Sequence, residues 1–341
     1  MEMVQEFDSI DVRPYQIMCI ICRLGSDDPA AYDFGERLDE IAAAARADLM
    51  KPLTLRCNVD SVYAYQNPGR EYDTPEGGLF NDKRDLDILQ RLGMVPGATR
   101  AALEVFHHVF QDIPDCRGIC GPGRTPSETW QGCRLADSGN YERGIAQGVG
   151  AVIPPRCEDE KARDKRDSCA AMGEAQVLQI RPHHLMCMTC FHGGRESLEP
   201  KEEDNVFEAI DIIHHNPDIP VELISGPCMI CTPCGKYRPE SGLCVSGPGM
   251  GLRDQKKDLD VLKILGLKYG DVLPARTLLQ RLYDSIHSTL QVCGYEDGIC
   301  RAPQWRVCRG GPEGHAAYTR ARAAGLGVPG VSCDTTPEQQ E

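Results

Sequence analysis

The chain has 341 residues, enough for two domains of ordinary size, and its 41% hydrophobic and 26% charged residues argue against both wholesale disorder and a membrane-embedded protein. A net charge of −14, with no basic block to override it, disfavours nucleic acid and anionic lipid as partners. The unusual feature is cysteine, with 18 copies.

The first twenty residues show no basic opening, no long apolar stretch and no small-residue cleavage site, and no window nears the roughly 20 apolar residues that span a bilayer. A cytoplasmic protein is expected, and in a reducing cytosol a dense thiol set serves metal binding or catalysis rather than disulfides. Arg13-Pro14-Tyr15-Gln16 then opens a helix carrying Cys19 and Cys22; proline's missing N–H costs nothing in a first helical turn. Phe34 to Asp48 is alanine-rich with apolar residues at helical spacing, and Leu53-Thr54-Leu55 reads as a short extended piece. Lys83 to Leu92 is an amphipathic helix stopped by Gly93, and Ala101 to Phe110 is a further helix. Cys116, Gly118-Ile119-Cys120 and Trp130-x-x-Cys133 close this half.

From Arg156 to Glu174 a mixed-charge run without apolar periodicity follows Pro154-Pro155 and reads as a linker. Cys157 and Cys169 in it, and Cys333 in the polar tail, read as plain solvent-facing thiols. Beyond this run the landmarks return in the same order. Arg181-Pro182-His183-His184 leads to Cys187 and Cys190, Val206 to His215 and Thr277 to Leu290 are helices, and Val221 to Ile224 is extended. Lys256 to Leu265 ends at Gly266, and Gly298-Ile299-Cys300 and Trp305-x-x-Cys308 follow Cys293. The chain is therefore expected to be a diverged tandem repeat of two pseudo-symmetric α+β domains, mostly helical, with long cysteine-bearing loops. The expected boundaries are a first domain over 10–150, a charged linker over 151–176, a second domain over 177–327 and a polar tail over 328–341.

The strongest local signal is Cys228-x-x-Cys231-x-x-Cys234, followed by Cys244. Such spacing lets one loop wrap three corners of an iron–sulfur cubane while a more distant thiolate closes the fourth, and a tetrahedral zinc knuckle uses the same residues. A second constellation occurs in both halves. On the later helix His183, Cys187 and Cys190 stand at i, i+4 and i+7 and share a face, with His184 off that stripe. Cys187 and Cys190 with Cys300 and Cys308 would staple the second domain's beginning to its end, and Cys19, Cys22, Cys120 and Cys133 would do so in the first. Cys116 and Cys293 compete for these places, and Cys22 and Cys190 also suit the role of small core residues. The first half has Asn58 to Tyr65 where the second has the triple-cysteine loop, so chemistry is expected to concentrate in the second. His183 and His184 are candidates for metal ligands or proton donors, and Arg13 and Arg181 for pairing with a carboxylate or with the negative charge of a cluster. A Walker loop, a dinucleotide fingerprint and a radical-type Cys-x-x-x-Cys-x-x-Cys loop are all missing.

The motif Arg181-Pro-His-His-Leu-Met-Cys187, with Cys231-x-x-Cys234, Cys244, the Asp258-Leu-Asp-Val-Leu helix and Trp305-x-x-Cys308, resembles the prokaryotic domain-of-unknown-function family numbered 1284. Its members are usually single domains of this size, described as iron–sulfur-binding. The resemblance runs from Gln179 to about Gly311 and more weakly over the first half. It implies cluster binding at Cys187, Cys231, Cys234, Cys244, Cys293, Cys300 and Cys308, and no reaction. The chain departs from the family in its duplication, in Cys190 and Cys228, and in a wider gap between Cys293 and Cys300.

These readings combine into an expected redox protein with two or three [4Fe-4S] clusters, serving electron transfer to a partner protein or activation of a small substrate. As an enzyme it would be an iron–sulfur-dependent oxidoreductase or lyase. The alternative is a zinc-stapled interaction module without redox activity. An enzyme built on one reactive cysteine has least support, because no cysteine has an obvious base beside it.

Overall fold

In each half a three-residue strand runs into Arg-Pro, and proline's fixed φ pre-organises the helical turn that follows. In the computed structural model, residues 8–58, 67–121, 132–195, 198–245, 251–293 and 311–332 are described. They fall into two units, Met1–Pro155 and Arg156–Glu341.

The first unit runs β1 (Ile10–Val12), α1 (Pro14–Leu24), α2 (Gly35–Ala47), β2 (Pro52–Leu55), α3 (Gly78–Arg91), β3 (Ala98–Ala101), α4 (Ala102–Asp112) and α5 (Asn140–Ala146). β2 is the central strand, parallel to β1 and antiparallel to β3. Ile17 and Ile21 of α1, Leu38 and Ile41 of α2, Leu53 and Leu55 of β2, Ile88 of α3 and Phe106 of α4 are fully buried. They form the apolar core that fixes α1, and hence its cysteines, against the sheet.

The second unit runs α6 (Glu158–Glu174), β4 (Leu178–Ile180), α7 (Pro182–Gly193), α8 (Val206–His215), β5 (Pro220–Leu223), β6 (Tyr237–Arg238), β7 (Leu243–Cys244), α9 (Leu252–Leu265), β8 (Val272–Pro274), α10 (Ala275–Ser285) and α11 (Gly311–Ala323). Here β5 is central, parallel to β4 and antiparallel to β8, and β6 and β7 make a separate hairpin. Both units are thus mostly helical α+β, each with a three-stranded sheet of one parallel and one antiparallel pairing. The helix expected to stop at Gly266 does so, with that residue in the left-handed region (φ 61°), where glycine meets no Cβ penalty.

Two expectations are corrected. The charged run expected as a linker is α6, and it belongs to the second unit. Its Lys, Arg and Glu residues are good helix formers that pair along the helix, as Lys161 does with Glu158. Met172 is buried, and Lys165 reaches Asn205 and Glu208. Cys169 is accordingly half-buried beside Asn205, while Cys157 is exposed as expected. The expected polar tail is likewise part of the fold at its start, since Val328 and Val331 are buried in the second core.

Candidate metal centre

The two Arg-Pro motifs do the same job in the two units. Arg181 donates from Nε (2.9 Å) and Nη2 (2.6 Å) to Oδ2 of Asp258 on α9. The other oxygen, Oδ1, accepts from the His183 backbone N–H at 2.9 Å and lies 2.7 Å from His183 Nδ1. In the first unit Arg13 Nε lies 2.5 Å from Asp85 Oδ2 on α3, and Asp85 Oδ1 accepts from Tyr15 N–H at 2.9 Å. Of the two partners weighed for these arginines, the carboxylate is the one found: each guanidinium pairs with an aspartate that also caps a buried N–H of the helix start, and Arg13 pairs with Asp73 and Asp82 as well.

Of the two candidate histidines, His184 is the one that meets cysteines. His183 turns to Asp258, and His184, off the Cys187–Cys190 stripe, meets the triple-cysteine loop. His184 Nδ1 is 3.2 Å from Cys228 Sγ and 4.0 Å from Cys231 Sγ, and the two sulfurs are 3.8 Å apart. No other trio of His, Cys, Asp or Glu ligand atoms gathers so closely among the described residues. The loop is held from several sides. Met229 N–H donates to Gln179 O beside β4, Asn205 donates to the carbonyls of Met229 and Ile230, and Arg156 donates to those of Thr232 and Cys234. Burial raises the Cys228 thiol, but hydrogen bonds from Cys231 and from the N–H groups of Arg181 and Ile230 outweigh it and bring Cys228 below its ordinary value. Cys231, as donor to Cys228 and itself buried, is pushed well up.

The other expected ligands of this unit stand apart from that trio. Cys234 Sγ accepts from Lys236 N–H at 3.4 Å, and Cys244 lies in β7, opposite Tyr237. Cys190 and Cys293 pack against the apolar core, the small-core role weighed for Cys190, and Cys187 is half-buried on α7. Cys300 and Cys308 lie outside the described residues, as does Cys333.

Burial, reinforced by the neighbouring His184, lowers the His183 pKa to about 3 against the pull of Asp258. The native state therefore binds fewer protons than the unfolded chain between about 3 and the ordinary histidine value near 6.5. This contribution to stability is complete above that value and is lost as the pH falls through the window, by up to about 1.4 kcal/mol per pH unit. Urea unfolding at pH 7.5 and pH 5 should show a smaller difference for His183→Gln than for the parent chain. Equal differences would show that His183 is not held neutral.

The first unit, where less chemistry was expected, holds the larger gathering of thiols. Cys19 and Cys22 of α1 and Cys116, Cys120 and Cys133 of the segment after α4 all line one cavity, of about 40 Å3. Cys22 Sγ lies 3.1 Å from the Tyr32 hydroxyl, Cys120 N–H donates to Cys116 O, and Cys133 N–H donates to Cys120 O. Burial pushes the Cys19 thiol up to about 12 and the Cys22 thiol up to about 11. Arg84 lines the same cavity and is 1% exposed. Its Nη2 donates to Asn81 Oδ1 (2.5 Å) and Thr74 Oγ1 (3.2 Å), and its guanidinium stacks 3.7 Å from the Tyr15 ring centroid. Its Nε is buried without a hydrogen-bond partner, and among the described residues no carboxylate forms a salt bridge with it. Sequence reasoning misses Arg84, which reads as one more charge of an amphipathic helix; its position directly before the buried Asp85 is the signal that places it inward.

No protein-family profile, curated protein or solved structure matches this chain. No described helix is long and apolar enough to cross a membrane.

Proposed function

We propose that this is an iron–sulfur redox protein whose [4Fe-4S] cluster is held in the first unit by four of Cys19, Cys22, Cys116, Cys120 and Cys133. The observation that carries this reading is the convergence of five thiols, from segments about a hundred residues apart, on one cavity beside the buried guanidinium of Arg84. A cubane bound by four thiolates is a net anion, and an internal guanidinium offsets the cost of burying it. No three of these sulfurs crowd together as a single ion would require, which suits ligands distributed over separate irons. The apolar surroundings that raise the free thiols mean that binding must release protons, so cluster assembly grows more favourable with pH. The cluster would pass electrons to a partner protein, and the acidic surface suits a basic one.

The full chain, purified anaerobically, is expected to carry iron and acid-labile sulfide at about four each per cluster, with an EPR signal after dithionite. The Cys19→Ser/Cys120→Ser variant should lose both. Stoichiometric zinc without sulfide after iron-replete expression would overturn the redox reading in favour of a structural zinc protein.

A further inference from the structure

The second unit's trio differs in kind from the first unit's cavity. Two thiolates on one tetrahedral ion at about 2.3 Å stand about 3.8 Å apart, and an imidazole nitrogen at about 2.0 Å stands about 3.5 Å from each. The Cys228 and Cys231 sulfurs are 3.8 Å apart, and their distances to His184 Nδ1, 3.2 and 4.0 Å, straddle the second figure. Thiolates on different irons of a cubane diverge along its diagonals and cannot approach so closely. We infer that His184, Cys228 and Cys231 bind one divalent transition-metal ion of the zinc type.

The surroundings suit that task. Cys228 and Cys231 are 6% and 9% exposed, so the sulfurs sit in an apolar wall, while His184 is half-buried and leaves a side towards solvent. Both elements that carry ligands are fixed before any ion arrives: α7 by the four contacts to Asp258, the loop by Asn205 and Arg156. One neutral imidazole and two thiolates balance a divalent charge, and soft sulfur with borderline nitrogen favours zinc over calcium or magnesium. No further Cys, His, Asp or Glu atom joins the group among the described residues. This inference stands apart from the cluster proposal, because it concerns other residues in the other unit.

The test uses the full chain, stripped of metal under reducing anaerobic conditions and titrated with Co2+ in a Cys19→Ser/Cys120→Ser background that disables the first cavity. One equivalent should bind, with sulfur-to-cobalt charge transfer and the visible bands of a four-coordinate ion. Cys231→Ser should weaken binding at least tenfold. His184→Gln, at a half-buried position, should shift the visible bands while keeping the charge-transfer band. Zinc-edge absorption should report mixed nitrogen and sulfur neighbours without iron. Loss of iron and acid-labile sulfide on Cys228→Ser/Cys231→Ser in the otherwise parent chain would overturn the inference by showing a cluster there. So would cobalt spectra indifferent to both His184→Gln and Cys231→Ser. Failure of the first-unit cluster is read separately, from the iron and sulfide lost on changing Cys19 and Cys120.

Discussion

Asp258→Ala is expected to cost the second unit about 3–5 kcal/mol, the range for removing one member of a buried charge pair, against a total stability of only about 5–15 kcal/mol for a typical domain. Asp258 is fully buried, and its two oxygens serve the Arg181 guanidinium twice, the His183 N–H and the His183 ring. Alanine would leave the Arg181 charge, itself 3% exposed, without a counter-charge, and would strip the cap from the first turn of α7. Asp258→Asn keeps the shape and should cost less. Asp85→Ala should cost the first unit less, because Arg13 keeps ion pairs with Asp73 (3.2 Å) and Asp82 (3.5 Å). Urea unfolding, with hydrogen exchange read peptide by peptide, tells which unit is affected. A loss below about 1 kcal/mol, the level of an exposed ion pair, would mean that water reaches and satisfies these groups.

Gly193→Ala is expected to destabilise by about 2–3 kcal/mol through overpacking, although glycine to alanine inside a helix ordinarily gains up to about 1 kcal/mol. A Cβ at Gly193 would sit 1.9 Å from the Ala317 carbonyl oxygen and 2.8 Å from its carbon, both backbone atoms of α11 that cannot swing aside. The first unit has a matching close approach, Gly144 of α5 against the Ile21 carbonyl of α1 at 1.9 Å. Gly173, in α6 with nothing within 4 Å of the place a Cβ would take, is the control, and its alanine variant should be neutral or slightly stabilising. Thermal unfolding of the two variants compares them directly; equal midpoints would show that α7 and α11 can separate at no cost.

The helices are legible in the sequence because apolar periodicity and Arg-Pro starts are local signals: α2, α4 and α8 fall close to where the sequence puts them, whereas α10 stops at Ser285, short of the expected Leu290. The gathering of Cys19, Cys22, Cys120 and Cys133 is legible too, from the recurrence of landmarks in the two halves, and Cys116, a competitor for the same places, lines the same cavity. What periodicity cannot convey is which neighbour a loop brings. His184 leaves the cysteine stripe of its own helix, yet the trio forms across elements, between α7 and a loop some 44 residues on. α6 reads as a linker because its pattern lacks an apolar face; it is held instead by charged contacts from Arg156 and Lys165, which a hydrophobic count does not register.

Arg156 lies directly after the last residue of the first unit, yet its guanidinium holds the carbonyls of Thr232 and Cys234, 76 and 78 positions later. A chimaera with a related chain joined at Pro155 would keep that clasp within one parent. A crossover at 177, where the charged run ends, would put the guanidinium and the carbonyls under different ancestry, so recombination between such genes is tolerated best at a seam some twenty codons earlier than the hydrophobic pattern suggests.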